Sequence, residues 1–297
     1  MLVGSLPVLG VLLALLSAFI LALGNLGQSR GIKRATEKPS STTPLLGLIH
    51  TRSWLGGTAL IGLAMLLQMG SLALAPLILV QPLGVAALVF TVILTTRASG
   101  KRIAPDVRNA IFIVLGGVAL YVIVAASVSK QKAIGNQQLV WILGILAAVL
   151  ILSLVVFLIG KTKKLPPFTF VILGGIYSGF IATLGKTVIL RVEAMFKGGV
   201  GGADSGSWLT LLCIVAISIA SALSIVYVQY SHTCNSPDIV IAGLTIVDPS
   251  VAVLLGITIL HEAAGAPAWS IVVLLIAGII AFSGVLKLAT AEAKVDS

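Results

Sequence analysis

The chain has 297 residues, of which 58% are hydrophobic and only 9% charged. Soluble domains carry roughly 25% charged residues. With a mean hydropathy of +1.16, this composition excludes a soluble enzyme, a disordered chain and a fibrous protein, and leaves a polytopic membrane protein. The net charge of +10 would suggest a nucleic-acid partner in a soluble protein; here it reads as loop charge that sets topology. Cys213 and Cys234 are the two cysteines, and they make neither a metal-binding spacing nor a disulfide framework.

A spanning helix needs about 20 apolar residues. Nine such runs follow in chain order, at 3–26, 54–74, 77–96, 108–127, 139–160, 167–188, 208–229, 238–260 and 268–289. The first is too long for a signal-peptide core and has basic residues after it, so it reads as a span. The second and third are separated by little more than Ala75-Pro76, which predicts a tight helical hairpin. The runs are long, continuous and rich in Leu, Ala, Val and Gly, which favours helices over a β-barrel. Trp54, Trp141, Trp208 and Trp269 fall at span ends, as interfacial aromatics do.

Alternate loops differ sharply in basic residues. One side receives 14 Lys and Arg, among them Arg30, Lys33, Arg34, Arg97, Lys161 and Lys163; the other receives four: Lys130, Lys132, Arg191 and Lys197. This bias predicts an N-terminus outside and a C-terminus in the cytoplasm, in the plasma or inner membrane. Nucleic acid is not expected as a partner, because a folded basic module to hold it is absent from the pattern. The 28–52 segment is the one extended polar loop, with a Ser-Ser-Thr-Thr run at 40–43, and is expected to lie on the cytoplasmic leaflet.

Two stretches resemble each other. In 75–122, Val80-Gln81-Pro82 interrupts an apolar run, and Pro105 and another span follow. In 236–286, Val247-Asp248-Pro249 interrupts the run, His261-Glu262 makes a turn, and Pro267 precedes the last span. The two prolines lie 14 and 11 residues before their span ends. The third and eighth spans cross in opposite directions, so the halves read as inverted copies: 1–127 with four helices and 139–297 with five, together one membrane domain. Inverted repeats with interrupted helices in matching places point to a secondary transporter with its site near the midplane.

The stretch Ala75-Pro76-Leu77-Ile78-Leu79-Val80-Gln81-Pro82-Leu83-Gly84 resembles the third-helix motif of the NIPA-type magnesium transporters, a branch of the drug/metabolite transporter (DMT) superfamily. The run from Asn235 through Pro249 to Glu262 is similar to the EamA-type repeat. The resemblance spans nearly the whole chain. It implies an all-α inverted-repeat carrier that needs no cofactor, with Mg2+ or a proton as cargo or coupling ion.

Ionisable groups deep in a span are costly and functional by default. Asp248 is the strongest candidate, as a cation or proton ligand beside a carbonyl that Pro249 leaves without its donor. Gln81, beside Pro82, is its counterpart in the first half. Lys186 lies two residues from the expected end of span six; it snorkels to the interface or meets Asp248 or an anionic substrate. Gln68, Tyr177, Tyr227 and Gln229 are further polar groups in spans, each alone more often interhelical glue than ligand. Asp238 and Glu262 are read as solvated helix-end charges flanking span eight. Gly175 and Gly179 form a small-xxx-small pair for close helix packing. The Gly185-Lys186-Thr187 triplet lacks the earlier glycine of a phosphate loop, and His261-Glu262 lacks the second histidine of a zinc protease motif. An intramembrane enzyme is therefore not expected. The expected function is transport of a small metabolite or a cation, Mg2+ among them; the alternative is a flippase or another handler of lipid-linked precursors. The expected partners are the cargo, the lipid bilayer and, in a homodimer, a second copy of the chain.

Overall fold

The computed structural model describes residues 6–37, 51–100, 102–132, 134–160, 165–197 and 207–296. Among them are nine helices long and apolar enough to cross a membrane. They are α1 (Pro7–Glu37), α2 (Arg52–Leu74), α3 (Leu77–Ala98), α4 (Pro105–Val128) and α5 (Asn136–Gly160). Then come α6 (Phe168–Lys197), α7 (Ser207–Cys234), α8 (Pro237–Thr258) and α9 (Ala268–Asp296). The chain is thus a multi-pass helical membrane protein.

Each expected run became a helix, but several helices outlast their apolar stretch. The α1 helix continues through 28–37, where a loop was expected. The residues there include Arg30, Lys33, Arg34, Ala35 and Glu37, good helix formers, and Gly27 and Gly31 bring this end of α1 against Gly57 and Trp54 of α2. The rest of the expected loop, with the 40–43 run, lies outside the described residues, as do Lys161 and Lys163. The α6 helix continues to Lys197 rather than ending at 188, which moves Lys186 from a helix end to the interior of the helix.

Packing is built on small residues, as it must be where lipid supplies little hydrophobic drive between helices. The α1 helix packs along α2, and α1 also packs on α3. A Cβ placed on Gly57 would lie 2.6 Å from the backbone nitrogen of Gln28, and one on Gly24 would lie 2.9 Å from the oxygen of Gly57. Serines cross-link the same seam: Ser17 Oγ donates to Ala64 O at 2.7 Å, Ser53 Oγ to Gly27 O at 2.8 Å and Ser71 Oγ to Gly10 O at 2.7 Å. The α6 helix makes the same kind of contacts with α7 and α8. Ser224 Oγ of α7 donates to Gly174 O at 3.2 Å, and Gly175 and Gly179 admit Val247 and Val251 of α8. The α4 helix packs on α9, where Gly117 faces Ala281 and Gly284 faces Val114. The expected role of Gly175 and Gly179 as a close-packing pair is what the structure has.

The core centres on the start of α3. Leu77, Ile78, Leu79 and Val80 are all fully buried. The helix opens with one α-turn, Leu77–Val80, passes through a 3-10 stretch, Gln81–Val85, and resumes as α-helix at Ala86. Pro82 explains the change: its missing N–H and its ring prevent a regular α-turn onto the residue four earlier. In α8 the proline is absorbed differently. The helix runs unbroken through Pro249. One carbonyl, that of Thr245, loses its donor, and neighbouring hydroxyls tighten the same stretch, with Ser250 Oγ donating to Ile246 O at 2.6 Å.

Candidate functional site

The α3 and α8 helices meet. The α8 helix contacts both the opening turn of α3 and its 3-10 stretch. Where Gly256 sits near the end of α8, an added Cβ would lie 3.5 Å from the Cβ of Leu77 at the start of α3. From that contact α3 runs forward into the bundle and α8 runs backward. Pro82 lies five residues along one and Pro249 seven along the other, so both interruptions sit about 10 Å from the contact, at matching depth. The Gln81 and Asp248 levels are thereby brought into one zone.

Asp248 is half-buried, and its Oδ1 is enclosed without a hydrogen-bond partner. It sits where α6 comes closest: a Cβ on Gly179 would lie 2.9 Å from Asp248 O, and one on Gly175 would lie 3.4 Å from Asp248 N. An orphaned carboxylate oxygen in a membrane helix is expensive and is an acceptor waiting for a proton or a cation. Gln81 is buried.

Tyr177 is fully buried and shares a hydrogen bond of 2.6 Å with Ser153 of α5. Its ring stacks on Tyr227 at 5.8 Å between centroids and 2° between planes, and Phe170 extends the stack to Tyr227 and Tyr230. This aromatic column joins α5, α6 and α7. Gln68 is half-buried on α2, and Gln229 is exposed on the outer surface of α7. The expected polar cavity therefore does not include Gln229, which faces away from the bundle, because Tyr227 two residues earlier takes the inward position.

Lys186 departs most from expectation. It is 1% exposed, and it neither snorkels nor turns to Asp248. Its Nζ lies 2.8 Å from Glu262 Oε1 and donates to Ala75 O at 2.6 Å. Glu262, expected to be solvated at a helix end, is 2% exposed. Its carboxylate also accepts from the backbone N–H of Leu77 at 2.8 Å and of Ile78 at 2.9 Å, so it caps the first turn of α3. The geometry follows from the turn after α8. His261 takes a left-handed backbone, φ 54°, and Glu262 N donates back to Gly256 O at 3.0 Å, which returns the carboxylate over the bundle. Gly256 leaves room for it: a Cβ there would lie 3.1 Å from Glu262 Oε2. Sequence reasoning missed Glu262. The available signal was Lys186 itself, since a lysine deep in a span requires a carboxylate, and the chain has only nine Asp and Glu in all. Asp238, by contrast, stands in the first turn of α8 as expected, where the helix dipole favours it.

The same end of the bundle carries further cross-links. Lys130 N donates to Glu262 O at 2.7 Å, Gln131 Nε2 to Ala73 O at 2.8 Å and Gln138 Nε2 to Ile259 O at 3.2 Å. Arg191 donates to Asn136 Oδ1 at 2.7 Å. Among the described residues, no three His, Cys, Asp or Glu side chains gather as a metal cluster.

No family model and no solved structure matches the chain. It is 27% identical over 266 residues to an uncharacterized protein of Corynebacterium glutamicum, Cgl0250/cg0304, covering 86% of this chain and 85% of that one. The likeness extends over most of the chain and carries no activity with it.

Proposed function

We propose that the protein is a secondary transporter of the drug/metabolite type, moving a small metabolite or a cation such as Mg2+ by alternating access. The observation that carries this reading is the meeting of α3 and α8 with their prolines at one depth, beside a carboxylate with an unpartnered oxygen. Helix pairing supports it. The α1 helix packs on α2 and α3 as α6 packs on α7 and α8, and α4 packs on α9. Helices α1–α4 then correspond to α6–α9, with α5 linking them outside the repeat. Five positions separate equivalent helices, an odd number, so the copies are inverted. Tight proline-bearing junctions recur at Pro76 and Pro237. The two proline-bearing helices, one divided and one continuous, give the site in this reading, and two equivalent bundles can rock against each other around it.

In this mechanism Asp248 is the cargo or proton ligand, and Gln81 contributes an amide from the other half. Mg2+ prefers oxygen ligands and keeps several waters. One carboxylate and nearby carbonyls suit a hydrated ion rather than a stripped one. In this reading the carrier works without a resident cofactor in the plasma or inner membrane, and the basic-loop bias supports a cytoplasmic C-terminus.

The test is Mg2+ entry into sealed proteoliposomes by the intact protein and by Asp248→Asn, at two external pH values. Saturable entry lost in the variant supports the cation carrier. No entry by intact protein removes Mg2+ as cargo; organic solutes and labelled lipids are then the next probes, and lipid movement without solute movement would replace the carrier by a flippase.

A further inference from the structure

The Lys186–Glu262 pair lies at the end of α8, away from Asp248. Gly179 on α6 faces Asp248 and Val251, and Lys186 is seven residues further along the same helix. Seven residues are about two turns, so Lys186 lies on the same stripe of α6, about 10 Å nearer the bundle end. Its bonds join elements that would have to separate for that end to open: α6, the α2–α3 junction at Ala75 and Leu77, and the α8–α9 turn. The backbone of Lys130 adds the α4–α5 connection. The opposite end carries an uncharged tie, Asn235 Nδ2 donating to Pro167 O at 3.0 Å.

Stability alone does not account for this pair. A buried ion pair is often no better than an apolar pair of the same volume, because desolvation offsets most of the attraction. A charged pair differs from an apolar one in having a second good state: once water reaches it, each partner is solvated separately. Interfaces with two discrete arrangements are what switching needs.

We infer that Lys186 and Glu262 form the gate of the transport path at the α8 C-terminal end, made in this structure and parted when the path opens to that side. The inference rests on the transporter reading above. Lys186 and Glu262 are gating residues in it, and Asp248 remains the ligand.

The two cysteines report on it. Cys213 is fully buried six residues into α7 and within electrostatic reach of Arg191, which binds Asn136 at this end. Cys234 is exposed at the other end of α7. Maleimide labelling of the purified full chain is followed at both thiols for Lys186→Met, Glu262→Gln and the double variant. Labelling of Cys213 is expected to rise about tenfold in each single variant and no further in the double, as for two halves of one interaction. Cys234 labelling is expected to stay within about twofold of the intact protein in all of them. An unchanged Cys213 rate in variants that elute as intact protein overturns the gate. So does an equal rise at Cys234, at the other end of α7, which marks a general loosening of the bundle rather than a gate. Should the charge variants fail to fold, Gly256→Ala is read in their place: it presses on Glu262 Oε2 without removing a charge. Labelling needs no cargo, so Mg2+ entry can fail while the gate stands, and the reverse.

Discussion

The two proline-interrupted helices make an instructive pair. Both carry a polar residue just before the proline, Gln81 and Asp248, at matching depth. In α3 the chain around Pro82 changes to a 3-10 stretch, and the turn before it is sealed: four consecutive residues without exposure and a carboxylate cap on its first N–H groups. In α8 the helix passes straight through Pro249, lies against glycines of α6, and leaves an acid oxygen without a partner. One interruption is pinned by charges from two other segments; the other is held by smooth packing against a neighbour. The same local sequence device is therefore tightly held in one helix and accompanied by an unpartnered acid oxygen in the other, and what surrounds the proline decides which.

The sharpest way to break this contrast is to release the pinned helix. Glu262→Ala leaves Lys186 buried without its counter-charge and two N–H groups of α3 uncapped. A loss of about 3–5 kcal/mol is expected, read as a large drop in thermal midpoint in detergent. Next in size is the packing beneath the reactive helix. Gly179→Val is expected to cost about 1–3 kcal/mol, because the added carbons meet the oxygen of Asp248 and Val251; Gly57→Val should do the same at the α1–α2 seam, and thermal melts of the two variants compare the halves directly.

Smaller effects test the prolines and the acid. Pro82→Ala is expected to destabilise by about 1 kcal/mol, since the 3-10 stretch is built around the ring, whereas Pro249→Ala restores a donor for Thr245 O and should stabilise by up to about 1 kcal/mol. Chemical denaturation of both in one detergent decides this; equal signs would end the contrast. Asp248→Asn should change stability by less than about 1 kcal/mol while abolishing transport, the separation expected of a ligand rather than a brace. Removing the Ser153 hydroxyl from Tyr177 with Ser153→Ala should cost about 0.6 kcal/mol, the usual worth of an interhelical hydrogen bond in a membrane.

Much of this was legible beforehand. The nine spans follow from length and apolarity alone, and the Ala75-Pro76 hairpin, the paired prolines and the close packing at Gly175 and Gly179 follow from residue types with few alternatives in lipid. The ends of α1 and α6 were not legible, because a helix that leaves the apolar layer continues on propensity and packing, which hydropathy does not register. The Lys186–Glu262 pair was hidden for that reason and one more: 76 residues separate the partners, and nothing local tells a carboxylate after a helix end that a left-handed His261 will fold it inward. Gln229 shows the opposite failure. A polar residue in a span has a direction as well as a depth, and on α7 the inward direction belonged to Tyr227.

The distance along the chain between Lys186 and Glu262 has a consequence for biosynthesis. The α6 helix is made, and must enter the bilayer, while Glu262 is still two helices from synthesis. A lysine at the centre of a spanning helix costs about 2.5–3.5 kcal/mol at insertion, and one nearer the end, as Lys186 is, costs part of that. Until α8 and its turn emerge, α6 is a poorly committed helix, held by what it can borrow from its neighbours or from the insertion machinery. Nascent chains stopped before Glu262 should leave α6 accessible to quality-control proteases, and chains released just beyond it should not.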